Sequence, residues 1–428
     1  MDAVQGVAAQ RAQTYQIDRQ ASEQRTTQKC AADGGFAKVS ACQPAAMTHT
    51  DLPTPTPEAL HASQTLTGLI RQRIAANQGF LPFADFMQMA LYQPEYGYYT
   101  GGAHKIGAAG DFITAPALTP LFGRTLAVQL RALLPQTAGC VYEFGAGTGA
   151  LAAQLLPALS GSLQHYYIIE VSPDLAERQR RHIAEHAPEH LAQVSWLAEL
   201  PAAFDGIVIG NEVLDAMPCD IVRYQNGRHC LMGVAEQDGG LAWQSAPLPA
   251  ELHAEAAALI PPLEGYTSEL HRQQQAFIRT VAAKLHRGAL IWIDYGFDAA
   301  QYYHPQRHQG TLIGHYRHHA VHDPFRYIGL TDLTCHVNFT AIAEAGCDSG
   351  LDLIGYTTQA AFLLNLGITD ALAACGDSAG PDYIRAAAAC QTLLAPHEMG
   401  ELFKVMAFGK NIDVDWQGFA AGDICHRL

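Results

Sequence analysis

The stretch Cys140-Val-Tyr-Glu-Phe-Gly-Ala-Gly-Thr-Gly-Ala150 decides the fold. A short apolar run ends in an acid, Glu143. Glycines follow at alternate positions, Gly145, Gly147 and Gly149, and then a helical pattern from Ala150 to Leu159. A strand that stops in such a turn brings bare backbone N–H groups and a helix N-terminus to one point. The glycines let the chain bend sharply and approach a ligand with no Cβ in the way. The pattern marks a nucleotide-type cofactor site on an α/β sheet.

It does not name the cofactor. Gly145, Gly147 and Ala150 fit the G-x-G-x-x-G/A dinucleotide fingerprint, with pyrophosphate over the helix end. Glu143 to Gly149 fits equally the E/D-x-G-x-G-x-G turn of class I methyltransferases, where the ligand is S-adenosylmethionine (SAM). An acid just before the glycines suits the cationic amino group of its methionine moiety.

Outward from the turn, strand and helix alternate. Tyr166–Glu170 is a second strand, and Glu170 at its end can accept both ribose hydroxyls of either cofactor. Val194–Leu197 is a weak third strand, with Ala198-Glu199 where an adenine contact falls. Gly206–Gly210 is the fourth and runs into Asn211-Glu-Val-Leu-Asp-Ala-Met-Pro218. Ile221–Tyr224, Cys230–Ala235 and Leu241–Gln244 read as a β-meander, turning at Asn226-Gly227 and Asp238-Gly239-Gly240. A helix over about 268–286 leads to a fifth strand, Ala289–Asp294. A helix at about 338–345, a strand at about 351–356, a helical insert at about 359–394 and a last strand, Glu401–Phe408, follow. Alternation of this kind makes a doubly wound, mostly parallel sheet, whose ligand sits beyond the strands' carboxyl ends.

Upstream, helices are expected over 64–76, 83–92 and 121–134, the last capped by Thr119-Pro120. Between them lie Tyr96–Gly102 and Gly107–Thr114, an aromatic, glycine-rich loop readable either as a lid over the cofactor or as a packed cap. Residues 1–60 lack apolar periodicity and read as disordered. Met47 is the expected natural start.

A net charge of −15 over 428 residues disfavours nucleic acid or an anionic membrane surface as partner. No apolar run is long enough to span a bilayer. The ten cysteines form no Cys-x-x-Cys pair, which fits a reducing cytoplasm. Histidines crowd residues 301–338. His315 and His319, like His318 and His322, have a spacing that on a helix would face one metal. Gly310, Gly314, Pro305 and Pro324 argue instead for a long ordered loop, with Asp323 and Arg326 pairing locally, that walls the substrate cleft.

Asn211, Glu212 and Asp215 follow the strand beside the cofactor strand, where a methyltransferase presents the transferable methyl. Methyl transfer from a sulfonium asks the enzyme mainly to position the nucleophile and hold its charge. Two carboxylates there would bind a guanidinium in a fork. The bland alternative is that Asn211 and Glu212 only cap the strand end.

The chain resembles the MidA family of SAM-dependent methyltransferases, which includes a mitochondrial protein arginine methyltransferase of respiratory complex I assembly. The resemblance runs from about Phe80 to Lys410. It rests on Phe86–Tyr99, Gly110-Asp-Phe-Ile-Thr-Ala-Pro116, Leu121-Phe-Gly123, Glu143–Gly149, Asn211–Pro218, Ile293-Asp-Tyr-Gly296, Gly310-Thr-Leu312, Asp323-Pro324, Asp332–Val337 and Met399–Lys404. Cys335 departs from it, as does the N-terminal extension.

The resemblance implies an α/β, class I methyltransferase Rossmann-like doubly wound sheet with an N-terminal helical cap and a β-meander insertion. The expected divisions are an extension (1–60), cap and lid (61–135), a SAM-binding domain (136–410) with insertions at about 218–286 and 359–395, and a tail (411–428). SAM would lie on Glu143, Gly145, Gly147, Gly149 and Glu170, and near Gly110, Asp111 and Thr114. Glu212, Asp215 and Asn211 would be catalytic, with no metal and a protein arginine as acceptor. A cytoplasmic monomer or homodimer is expected. An NAD(P)-linked oxidoreductase and a non-enzymatic assembly factor are the rival readings.

Overall fold

Apolar residues on both sides of each central strand bury both faces of one sheet. In chain order its strands are β1 (Cys140–Phe144), β2 (His165–Ile169), β3 (Val194–Leu197), β4 (Phe204–Asn211), β5 (Leu285–Phe297), β6 (Asp352–Thr358) and β7 (Phe403–Lys410). The computed structural model describes residues 52–101 and 114–428. Most of the expected extension, the loop residues 102–113, and with them Gly110 and Asp111, lie outside the described residues.

The strand order is β3-β2-β1-β4-β5-β7-β6. β1 to β5 run parallel, and β7 is antiparallel to both β5 and β6. Val141, Ile207, Ile291 and Val405 point into one core, while Tyr142, Val208, Trp292 and Met406 point into another on the opposite face. Such two-sided burial requires helices on both faces, as doubly wound sheets have. The order reverses at β1 and β4, so the carboxyl ends of those strands open the ligand crevice.

The meander is larger than its sequence pattern. Its strands are Asp220–Gln225, Arg228–Gln237 and Gly240–Pro247, with the expected turns. Asn226-Gly227 and Asp238-Gly239 all have positive φ, as a two-residue hairpin turn of matching twist needs. Thr267–Leu270 adds a strand where a helix was expected from residue 268; the helix begins only at Arg272. The two-residue strand Leu81–Pro82 pairs with the meander as well. Cap and insertion therefore share a core: Leu66, Ile70, Phe83, Phe86 and Met87 pack with Ile221, Met232 and Val234.

Further expectations are refined by the structure. The first helix starts at Pro57, inside the stretch read as disordered, because Thr56 caps it by accepting the Ala59 N–H at 3.3 Å. Residues 313–334 are not a loop but a three-stranded sheet of Ile313–Tyr316, His319–Val321 and Asp332–Thr334. His315 and His319 stand on adjacent strands, so helical spacing does not apply to them. Asp323 and Arg326 pair through the backbone, the Arg326 N–H donating to the Asp323 carbonyl at 3.2 Å, while Asp323 Oδ1 accepts the Phe325 N–H at 3.0 Å in an Asx turn and the Arg326 guanidinium lies 5.2 Å from the Tyr327 ring. The tail is not merely polar: Phe419 packs on Phe362, ring centroids 5.3 Å apart. Among the described residues no helix is long and apolar enough to cross a membrane.

Candidate active site

Gly145, Gly147 and Gly149 all have positive φ, at 63°, 53° and 86°. Their surroundings differ. A Cβ on Gly145 would stand 2.7 Å from Val213 Cγ2, and one on Gly149 would stand 3.2 Å from Gln179 Cα. A Cβ on Gly147 would meet nothing within 4 Å among the described residues. The outer glycines thus satisfy the protein's own packing, and the middle one borders open space suited to a ligand.

Gln179, fully buried on the helix Pro173–His186, ties this turn to its neighbours. Its Nε2 donates to the Gly147 carbonyl at 3.1 Å and to Glu170 Oε2 at 3.0 Å, and its Oε1 accepts from Trp196 Nε1 at 2.9 Å. One amide therefore connects β1, the end of β2, and β3. Ser172 N–H donates to the other Glu170 oxygen at 2.8 Å. Each carboxylate oxygen keeps a lone pair for a further donor such as a ribose hydroxyl. Burial raises the Glu170 pKa, against these hydrogen bonds. Val171 beside it is 67% exposed, an apolar side chain left uncovered at the crevice mouth.

Glu143 is only 2% exposed, and its Oε2 accepts from Tyr166 Oη at 2.7 Å. Burial pushes it up to about 7, and the Tyr166 bond pulls the other way. It sits beneath the turn, tied to β2.

Across the crevice, Asn211 ends β4 directly opposite Ile293 of β5. The Glu212 N–H still donates to the Ile293 carbonyl at 2.9 Å, and then Glu212 turns the chain at φ 55°. Asp294 Oδ2 collects the N–H groups of Val213, Leu214 and Asp215 at 3.2, 3.0 and 3.2 Å. Its Oδ1 accepts from the Tyr295 N–H at 2.9 Å. The strand-end acid of β5 thereby fixes the loop that follows β4.

That loop presents polar groups with capacity to spare. Asn211 Nδ2 donates to Glu212 Oε1 at 3.1 Å, while Asn211 Oδ1 is buried without a partner among the described residues. Tyr295 Oη donates to Asp215 Oδ2, while Asp215 Oδ1 is likewise buried without a partner among the described residues. Burial, then the Asp215 charge, pushes Glu212 up to about 8. Burial pushes Asp215 up to about 6, against the Tyr295 hydrogen bond. Two acids whose values are raised together form a site where a cation would be stabilised.

The aromatic motif before residue 102 forms a wall of this site. Tyr92 Oη donates to the Ala216 carbonyl at 3.1 Å, and Tyr99 Oη donates to Asp332 Oδ1 at 2.9 Å. Their rings stack 5.5 Å apart. Burial raises both pKa values, reinforced by Asp332 and Asp215. Thr114 stands at the N-cap position of the short helix Ala115–Leu118 without a side-chain capping bond, and the first N–H of that helix, that of Ala115, faces the Glu212 carboxylate. Thr114 therefore lies beside the acceptor loop.

Sequence reasoning missed Gln179, Val171, Tyr92, Tyr99 and Asp332. One signal was present: Leu175, Gln179 and Ile183 form the buried stripe of their helix, and a glutamine on such a stripe calls for a polar task.

Comparison with known proteins decides the cofactor. Residues 121–357 match the model of a family described as "Putative S-adenosyl-L-methionine-dependent methyltransferase". The chain belongs to this family. A solved Burkholderia thailandensis structure, described as a methyl transferase candidate bound to S-adenosyl-homocysteine, is 48% identical. It covers 88% of this chain and 100% of its own, with a TM-score of 0.85. The protein arginine methyltransferase NDUFAF7, mitochondrial, of Danio rerio is 27% identical over 363 residues, 76% of this chain and 82% of the relative. The Drosophila melanogaster homolog is 25% identical, covering 83% and 88%. As a family member the chain is a SAM-dependent enzyme of the MidA group, and the NAD(P) reading of the glycine turn falls away.

Proposed function

We propose that this enzyme methylates a guanidinium nitrogen of arginine in a protein substrate. The observation that carries the reading is the pair of orphaned acceptors, Asn211 Oδ1 and Asp215 Oδ1, beside Glu212. Buried acceptors without donors are costly. A group rich in N–H donors and bearing positive charge satisfies all three, and guanidinium does so in a planar fork. The names of the eukaryotic relatives support the same acceptor.

Bound SAM supplies the transferable methyl. Glu170 and the turn at Gly145–Gly149 would hold it, Val171 would cover an apolar face of it, and Glu143 would brace the turn from beneath. Asn211 and Glu212 would orient the guanidinium. A bound cation lowers the values of both acids, so Glu212 ionises as the acceptor enters. Asp215, held at Oδ2 by Tyr295, would receive on Oδ1 the proton that methylation releases. Asp294 would keep Asp215 at this place.

The test is transfer of label from methyl-labelled SAM into cell extract, with hydrolysis to identify the labelled residue. Methylarginine that disappears with Glu212→Ala supports the reading. Label on lysine, or in small molecules only, overturns it. Heat stabilisation by S-adenosylhomocysteine with no transfer would favour an assembly factor without catalysis.

A further inference from the structure

Beyond the acids, ring contacts lead to a group of opposite charge. Phe297 closes β5 three residues after Asp294. The Arg307 guanidinium carbon lies 4.1 Å from the Phe297 ring centroid, and Lys404 Nζ lies 5.8 Å from it. The His336 ring stands 5.1 Å from Phe297 and 5.1 Å from Tyr295. Tyr295 in turn holds Asp215. A run of ring contacts thus connects the acidic acceptor loop to a basic group. In the sheet order β5 and β7 lie on the far side of β4 from β1, so this group is on the acceptor side, away from the glycine turn.

The three basic residues are not equivalent. His336 is lowered to about 4 by burial and by Arg307 and Lys404, so it is neutral. Lys404 is lowered to about 8, mainly by burial, and its Nζ donates to the Glu401 and Leu402 carbonyls. Arg307 is half-buried and permanently charged. Its Nε donates to the Gln301 carbonyl at 3.2 Å. Among the described residues its guanidinium has no carboxylate partner within 4 Å. It opens into a cavity of about 340 Å³ that it lines together with Gln301, His304 and Gln306. In a chain of net charge −15, a cavity lined by a guanidinium, two side-chain amides and a histidine, with no acid in its lining, is matched to an anion.

We infer that the Arg307 cavity docks a carboxylate of the protein substrate, an acidic side chain near the target arginine, while the Asn211–Asp215 loop holds the arginine itself. The inference rests on the protein-arginine reading above. A substrate segment carrying one charge of each sign meets both poles of the crevice in a single register. A segment with basic flanks places like charges against Arg307 and is rejected.

The experiment compares short, C-terminally amidated peptides with one arginine, flanked by glutamate in one and by glutamine in the other. A third peptide has glutamine flanks and a free C-terminal carboxylate, which separates a side-chain source from a chain end. Methyl transfer from labelled SAM is measured with the full chain. The expected kcat/KM ratio of acidic to neutral peptide is about tenfold, the size of one charged hydrogen bond. It is carried by KM and shrinks as salt is added. In Arg307→Gln the ratio falls to about one, and in Arg307→Glu it inverts. Melting with S-adenosylhomocysteine reports whether each variant folds. If the Arg307 variants melt early, Gln306→Glu, at an exposed position, gives the same loss. A wild-type ratio near one overturns the inference alone, as does a ratio that folded variants keep. A third peptide as good as the acidic one also overturns it, by moving the contact to a chain end. If no arginine peptide is labelled while S-adenosylhomocysteine still stabilises the fold, the protein-arginine reading fails and the inference falls with it.

Discussion

Gln179 holds Glu170 against the glycine turn through a single amide nitrogen, which also bonds the Gly147 carbonyl. Gln179→Leu keeps the volume and the buried stripe but leaves both acceptors unpaired. Loss of a hydrogen bond to a charged group costs about 1.5–3 kcal/mol. We predict a ~10–100-fold weaker Kd for S-adenosylhomocysteine by calorimetry. An unchanged Kd would show that Glu170 is placed without Gln179.

The glycines separate folding from binding. Gly145→Ala drives a methyl into Val213 Cγ2 and should lower the melting temperature by several degrees. Gly147→Ala meets no atom of the described residues, and its φ of 53° costs about 1 kcal/mol. It should melt close to wild type yet lose stabilisation by S-adenosylhomocysteine. Retained stabilisation would place the cofactor away from Gly147.

Asp294 gathers three consecutive N–H groups on one oxygen, so it acts on the acceptor loop and not on the cofactor. Asp294→Asn replaces one of two accepting oxygens by an NH2 group, which faces a backbone N–H and disturbs the loop. Steady-state assays should show kcat lower by ~10²-fold or more, an effect of the size seen when a positioned group is lost. S-adenosylhomocysteine affinity should stay within ~2-fold. A fall in cofactor affinity as large as the fall in kcat would refute this division.

Glu143 links stability to pH. Its folded value, about 7, lies above the ~4.3 of an unfolded chain. Between the two values the folded protein keeps a proton that the unfolded chain has released. This contribution is fully present below about pH 4 and is lost as pH rises through about 7, with a slope of up to ~1.4 kcal/mol per pH unit. Denaturant unfolding should show the decline, and Glu143→Gln should flatten it. The same slope in both proteins would assign it elsewhere, to Asp215 and Glu212 first.

What could be read in advance followed local rules. The turn at Gly145–Gly149 and the hairpins at Asn226-Gly227 and Asp238-Gly239 declare themselves because positive φ selects glycine and asparagine or aspartate within a few residues. The strands of the sheet declared themselves by their apolar runs and by the acids at their ends. What stayed hidden depends on distant partners. Thr267–Leu270 is a strand because Asp220–Arg223 lies beside it, and nothing in Thr-Ser-Glu-Leu announces that. Glu269 lies inside the helix expected over about 268–286. It is buried, and it accepts the Thr311 and Leu312 N–H groups at 2.7 and 2.9 Å. That bond set leaves room only for glycine at position 310, since a Cβ there would stand 2.4 Å from the Glu269 carboxylate. The Tyr99–Asp332 bond spans 233 residues, beyond any periodicity.

β7 is the last strand of the sheet to be made, yet it lies between β5 and β6. During translation those two strands must wait with facing edges bare until residues 403–410 have left the ribosome. Bare edges recruit other chains, so the interval before termination is when a nascent copy is most exposed to its neighbours. A premature stop between Thr358 and Phe403 would leave that gap permanently open, even though every residue proposed here to touch the cofactor or the acceptor had already been synthesised.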